Sequence, residues 1–162
     1  MTDDPGYLAT FEPSMRLALD VATRARADAG GASADVPVGA VVLGPDDAVL
    51  GMGRNRCLAS GDPTAHAEIV AIRQAAKAAR SWRLDGCTLV VTLEPCTMCA
   101  GAVRAARIGR LVYGAPDPRA GAAGSLWDLV RDRRLGPPVE VIGGVLAAPC
   151  AALLSEFFES LR

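Results

Sequence analysis

Between residues 13 and 29 the apolar side chains Met15, Leu17, Ala18, Val21, Ala22 and Ala25 fall mostly on one face of a 3.6-residue period, which predicts an amphipathic helix. Gly30-Gly31-Ala32-Ser33 ends it. Two short apolar runs follow, residues 38–43 and 48–52, and Gly44-Pro45-Asp46-Asp47 between them predicts a hairpin. Helical periodicity returns over residues 64–80, with Asp62 as a candidate cap and Pro63 near the first turn. Residues 88–93 read as a buried strand, 95–106 as a helix and 108–113 as another strand. After the glycine-rich stretch 114–124, a short helix is expected at 125–134, a strand at 139–145 and a closing helix at 149–161. The order α-β-β-α-β-α-β-α-β-α predicts an α/β sheet with helices on both faces.

A chain of 162 residues, 51% of them apolar, can bury one core, so residues 13–162 are expected to form a single domain preceded by a flexible tail at 1–12. Aromatic residues are few, which leaves Ala, Val and Leu to build the interior. No apolar run is long enough to span a bilayer, and residues 1–15 carry acids rather than a basic leader, so a cytoplasmic protein without a membrane partner is expected. Five cysteines, of which one pair has a metal-type spacing, fit a reducing compartment better than a disulfide framework.

The net charge of −1 argues against a chain that binds nucleic acid by bulk charge. Its distribution changes that picture. Residues 1–50 hold 3 Arg against 8 acids, net −5, whereas residues 101–134 hold 7 Arg against 3 Asp, net +4. A local basic face of that kind can bind phosphates, although ordinary solvated charge on helix faces would look the same.

The chemistry concentrates in His66-Ala67-Glu68 and Pro95-Cys96-Thr97-Met98-Cys99, and His66 is the one histidine in the chain. His66, Cys96 and Cys99 supply three zinc ligands and leave a fourth tetrahedral position open, the pattern of a catalytic rather than a structural site. The other cysteines, Cys57, Cys87 and Cys150, have no paired spacing that nominates a fourth ligand, and Cys57 reads as a small buried hydrophobe. A lone Cys-x-x-Cys also suits half a zinc ribbon or a redox pair, but neither accounts for His66 and Glu68. Residues two apart on a regular helix point about 200° apart at 3.6 residues per turn. His66 and Glu68 therefore share a site only if His66 lies in an irregular first turn. One Zn²⁺, two thiolates and a neutral imidazole sum to zero charge, a centre that acidifies water less than a three-histidine dication does. A neighbouring base is then required, and Glu68 is placed to take a proton and return it.

The pairing of His-x-Glu with Pro-Cys-x-x-Cys resembles the signature of the zinc nucleobase deaminases. Pro37-Val38-Gly39-Ala40-Val41, Asn55-Arg56, Asp62-Pro63-Thr64-Ala65-His66-Ala67-Glu68, Thr92-Leu93-Glu94-Pro95-Cys96 and Met98-Cys99-Ala100-Gly101-Ala102 resemble bacterial tRNA-specific adenosine deaminases, as does Gly121-Ala122-Ala123-Gly124-Ser125-Leu126. The resemblance spans roughly residues 13–162. It implies a cytidine deaminase-like three-layer α/β/α fold with a five-stranded mixed sheet, and a homodimer carrying one Zn²⁺ per subunit. The implied reaction is hydrolytic deamination of adenosine to inosine at the wobble position of a tRNA-Arg anticodon stem-loop, with attack at adenine C6 and Glu68 as proton shuttle. It further implies that Asn55 hydrogen-bonds the target nucleotide and that Val36, Pro37 and Val38, with Ala65, contact its base. Asp117 would touch the neighbouring ribose and Phe158 the displaced anticodon bases. The chain reads Gly136-Pro137-Pro138 where the family commonly carries an Asn-His-Arg-like stretch, and Arg119-Ala120-Gly121 where Lys-Thr-Gly is frequent. Two other functions use the same residues: deamination of a free base or nucleoside such as guanine or cytosine, and a zinc-stabilised subunit without catalysis. The second has no use for Glu68.

Overall fold

The computed structural model describes residues 4–28 and 35–162. The predicted hairpin forms from β1 (Gly39–Leu43) and β2 (Val49–Arg54), antiparallel, with a register shift between Val42 and Leu43. β1 also pairs antiparallel with β3 (Thr88–Leu93), beyond which β4 (Arg110–Ala115) and β5 (Glu140–Gly143) run parallel, giving the order β2-β1-β3-β4-β5. The helices are α1 (Pro5–Ala9), α2 (Glu12–Asp28), α3 (Cys57–Ser60), α4 (Ala67–Ala79), α5 (Thr97–Ala105) and α6 (Ala147–Ser160).

Alternation along the strands sorts the core into two layers, because successive side chains in a strand point to opposite faces. Ala40, Val42, Leu89, Val91 and Leu111 pack against the small residues Ala67, Ala71 and Ala75 of α4 and against Ala100 and Val103 of α5. Val41, Val90, Val112 and Ile142 face the other way, onto Met15 and Ala18 of α2 and Cys150 of α6. The expected three-layer α/β/α arrangement with a five-stranded mixed sheet is the one observed. Each fully buried Val or Leu adds about 1.5–3 kcal/mol.

Glycine in β2 sets how closely α4 approaches. A Cβ on Gly53 would collide with the carbonyl oxygen of Ala67 and lie 2.5 Å from the amide nitrogen of Ala71, and both obstacles are backbone that no rotamer change can move. Gly53→Ala should therefore push α4 off the sheet and lower stability by about 1–3 kcal/mol, the usual cost of overpacking. Urea titration measures the loss, and an unchanged midpoint would refute this account of the helix–sheet contact.

The chain departs from expectation in several places. Residues 4–12, expected as tail, hold α1 and the start of α2. Asp4 caps α1 through the Gly6 amide at 2.9 Å, and the Tyr7 hydroxyl donates to Glu140 at 2.8 Å, tying α1 to the sheet edge. Residues 125–134 are not helical but form turns ending in a 3-10 turn at Arg133–Leu135. Leu126 and Trp127 are exposed in this stretch. Asp62 does not cap α4; it accepts the Thr64 amide and hydroxyl at 2.8 and 2.7 Å, closing a turn two residues earlier. α3 was not anticipated, and its amides at Leu58 and Ala59 are satisfied by the Asp35 carboxylate. The side chain of Ala25 and the terminator at 30–33 lie outside the described residues.

Candidate active site

Two helix N-termini meet on one face of the sheet. His66 is the N-cap of α4, with φ −69° and ψ 154°, and Cys96 is the N-cap of α5, with φ −71° and ψ 176°. Neither side chain caps its own helix, so both are free to face one another. The extended backbone at His66 meets the condition set by the i, i+2 spacing: Glu68 lies one residue inside regular helix, while His66 is still outside it. Asn55, at the end of β2, accepts the Ala67 amide on its Oδ1 at 2.9 Å and so satisfies one of the open donors of α4.

The Sγ atoms of Cys96 and Cys99 lie 3.7 and 3.5 Å from Nδ1 of His66, and the three ligand atoms sit within 4.8 Å of one another. Tetrahedral zinc with Zn–S near 2.3 Å and Zn–N near 2.0–2.1 Å would separate sulfur from nitrogen by about 3.6 Å, so this donor set fits that ion in spacing and in type. A hydrogen bond with Cys99 and another with His66 drive the Cys96 thiol far below its usual range, whereas the same bond with Cys96, together with burial, pushes Cys99 up. A bound cation takes both sulfurs as thiolates and displaces the protons they carry. Cys57, half-buried with its sulfur directed to the Pro63 carbonyl at 3.9 Å, is not in this cluster.

Glu68 is 4% exposed. Burial pushes its carboxyl up to about 7, against the pull of its own backbone amide and of His66, and Cys99 is within hydrogen-bonding reach. A carboxyl in that range takes and releases protons near neutral pH.

His66, Glu68 and Cys96 line a cavity of about 660 Å³. Among the residues the sequence nominated, Asn55, Val36, Val38, Asp117 and Phe158 line it too. Pro37 and Ala65 do not; both are buried behind the wall. The Asp117 carboxylate accepts the amides of Arg119 and Ala120 at 2.9 and 3.3 Å and so shapes the turn at the rim. The basic segment 101–134 is less free than its charge suggests. Arg110, Arg131 and Arg134 pair with Glu140, Asp128 and Asp132, and Arg104 donates to the carbonyls of Val130 and Pro137. Arg119 and Arg162 reach the cavity.

One residue beside the cavity escaped sequence reasoning except as part of a motif. Glu94, 2% exposed, accepts the amides of Asp117, Ala123 and Ser125, each at 3.0 Å, and the Ser125 hydroxyl. Its signal was a carboxylate between an apolar strand and a metal-type cysteine pair, a position where a charge needs partners.

The family model for the cytidine and deoxycytidylate deaminase zinc-binding region matches residues 10–115. The chain belongs to this family. Zinc is the ion of that region, and His66, Cys96 and Cys99 stand close enough to hold it. Within the family, the chain is 46% identical over 151 residues to the tRNA-specific adenosine deaminase of Haemophilus influenzae, covering 93% of this chain and 84% of that one. A solved structure from studies of A-to-I editing by tRNA:A34 deaminases at the wobble position of transfer RNA superposes with a TM-score of 0.79 at 41% identity, over 86% of this chain and 97% of that one. A guanine deaminase from Nitrosomonas europaea gives 0.74 at 26% identity, over 97% and 94%. Among the described residues no helix is long and apolar enough to cross a membrane.

Proposed function

We propose that this deaminase converts adenosine to inosine at the wobble position of a tRNA-Arg anticodon, with His66, Cys96 and Cys99 holding zinc and Glu68 moving the protons. The observation that carries the reading is the buried Glu68 carboxyl in a cavity that His66 and Cys96 also line, with Cys99 completing a cluster of three zinc-type donors within 4.8 Å of one another. The tRNA substrate is supported by the 46% identity to a tRNA-specific adenosine deaminase.

When bound, zinc supplies a Lewis acid that lowers the pKa of water. Glu68 takes the proton of the attacking water as general base and delivers it to N1 of adenine. With the water oxygen now bonded to C6, Glu68 takes the proton of that new hydroxyl and passes it to the amine, so that the C6–N bond breaks as the C6 carbonyl forms, ammonia leaves and inosine remains. Asn55, whose Oδ1 is committed to Ala67, offers its NH₂ group to the nucleotide. Val36 and Val38 present the apolar wall to the base, Asp117 meets the neighbouring ribose and Phe158 packs against displaced anticodon bases. The protein acts as a cytoplasmic homodimer, which sedimentation analysis checks.

The deciding assay offers the protein a tRNA-Arg anticodon stem-loop alongside free adenosine, cytosine and guanine. Inosine at the wobble position, with no turnover of the free compounds, is expected. Turnover of guanine or cytosine and none of the stem-loop would establish the free-base reading that the likeness to a guanine deaminase favours.

A further inference from the structure

We propose that Glu94 is a positioning residue for the anticodon, acting through the loop at residues 116–125 rather than on the reacting atoms; this rests on the tRNA reading above. Glu94 sits between the end of β3 and the Cys96 N-cap, so it belongs to the rigid metal-ligand side of the cavity. The opposite rim, Pro116 to Ala120, comes from the loop after β4. The Glu94 carboxylate joins the two. Oε2 takes the Asp117 amide and the Ser125 hydroxyl, and Oε1 takes the amides of Ala123 and Ser125, so both ends of one loop are held by a single side chain.

Two further features bring the loop onto this carboxylate. The Ala122 amide donates to the Pro95 carbonyl at 2.8 Å, and Gly121 bridges to Cys96. A Cβ on Gly121 would lie 2.5 Å from a Glu94 carboxylate oxygen and 2.5 Å from the Asp117 carbonyl, so closure requires glycine there. A carboxylate is an acceptor at every lone pair, and here it meets donors alone. The Asp117 backbone is therefore fixed on the same frame as Cys96, and its side chain is presented at a set distance from the zinc-ligand side. Contacts with the flank of a substrate are made equally in ground and transition state, so loosening this rim raises KM and leaves kcat alone.

The test compares zinc-loaded full-length wild type with Glu94→Gln, Ser125→Ala, Asp117→Ala and the Glu94→Gln/Asp117→Ala pair on the anticodon stem-loop. Glutamine keeps the volume but turns one acceptor into a donor facing donors. Glu94→Gln should retain one zinc per chain and keep kcat within about twofold while KM rises about tenfold or more. Ser125→Ala, which removes one of the four bonds, should raise KM less. The double variant should show the KM of Asp117→Ala alone, because the two residues act in series. An unchanged KM in Glu94→Gln, a fall in kcat at constant KM, or KM increases that multiply in the double variant would each overturn the proposal. If Glu94→Gln fails to fold, Ser125→Ala combined with Asp117→Ala is judged by the same criterion. Should wild type deaminate only a free base, the tRNA reading falls and this proposal with it, an outcome seen in wild type and so distinct from an unchanged KM in Glu94→Gln.

Discussion

Glu68→Gln is expected to lower kcat by about 10³-fold or more while leaving zinc content and fold intact. Glutamine matches the carboxyl in size and can occupy the same buried position at the start of α4, so no cavity opens and no charge is stranded. What it lacks is an exchangeable proton at neutral pH. A general acid–base group is worth about 10²–10⁴-fold, and Glu68 acts twice in each turnover, on the attacking water and on the base, which places it toward the upper end. Substrate affinity depends on the cavity walls and should change little. Glu68→Ala should lose turnover to the same extent. Single-turnover assays on the stem-loop, with metal analysis of the same samples, separate loss of proton transfer from loss of metal. Full activity in either variant would mean that another group carries the proton, and the mechanism would have to be redrawn. A non-catalytic zinc subunit would show no turnover in wild type to begin with.

Much of this architecture was legible in the chain, and the parts that were not share a cause. Val41, Val90 and Val112 alternate with Ala40, Val42, Leu89 and Leu111 because one face of the sheet meets α2 and α6 and the other meets α4 and α5, a local pattern with a global meaning. His66, Cys96 and Cys99 were visible because few other roles require those residue types at that spacing, and the extended N-cap at His66 supplied the geometry that the i, i+2 spacing demanded. Periodicity failed where a distant side chain decides the backbone. Residues 125–134 have helical spacing at Leu126, Leu129 and Val130, yet the Glu94 carboxylate draws off the Ser125 amide and fixes the loop from 31 residues away. α1 is held by a bond from Tyr7 to Glu140, 133 positions further along. Asp62 has the right chemistry for a helix cap but spends it on Thr64. Asn55, nominated for the nucleotide, holds α4 through Ala67, a structural use of its Oδ1 that its place in the sequence did not show.

Cys99→Ala should abolish zinc retention and remove the stabilisation that zinc confers. Cys99 is fully buried in the first turn of α5, where the helix N-terminus favours a thiolate, and its sulfur lies 3.5 Å from His66 Nδ1. Without it two ligands remain, and the charge balance of one dication with two thiolates is lost. Zinc content should fall from one per chain to less than about a tenth, since metal affinity in such sites depends on the full ligand set being present at once. The consequence for stability follows by linkage. An ion that binds only the folded chain stabilises it by about 4.1 kcal/mol at a thousand times its dissociation constant. Wild type should therefore lose a large part of its thermal stability when a chelator is added, whereas Cys99→Ala should melt at the same temperature with or without chelator. Cys57→Ala supplies the control: its sulfur points to the Pro63 carbonyl and lies outside the cluster, so zinc content should stay at one per chain. Retention of zinc by Cys99→Ala, or loss of it in Cys57→Ala, would show that the ligand set is not His66, Cys96 and Cys99, because a cluster of three within 4.8 Å leaves no spare donor among the described residues to replace the missing sulfur.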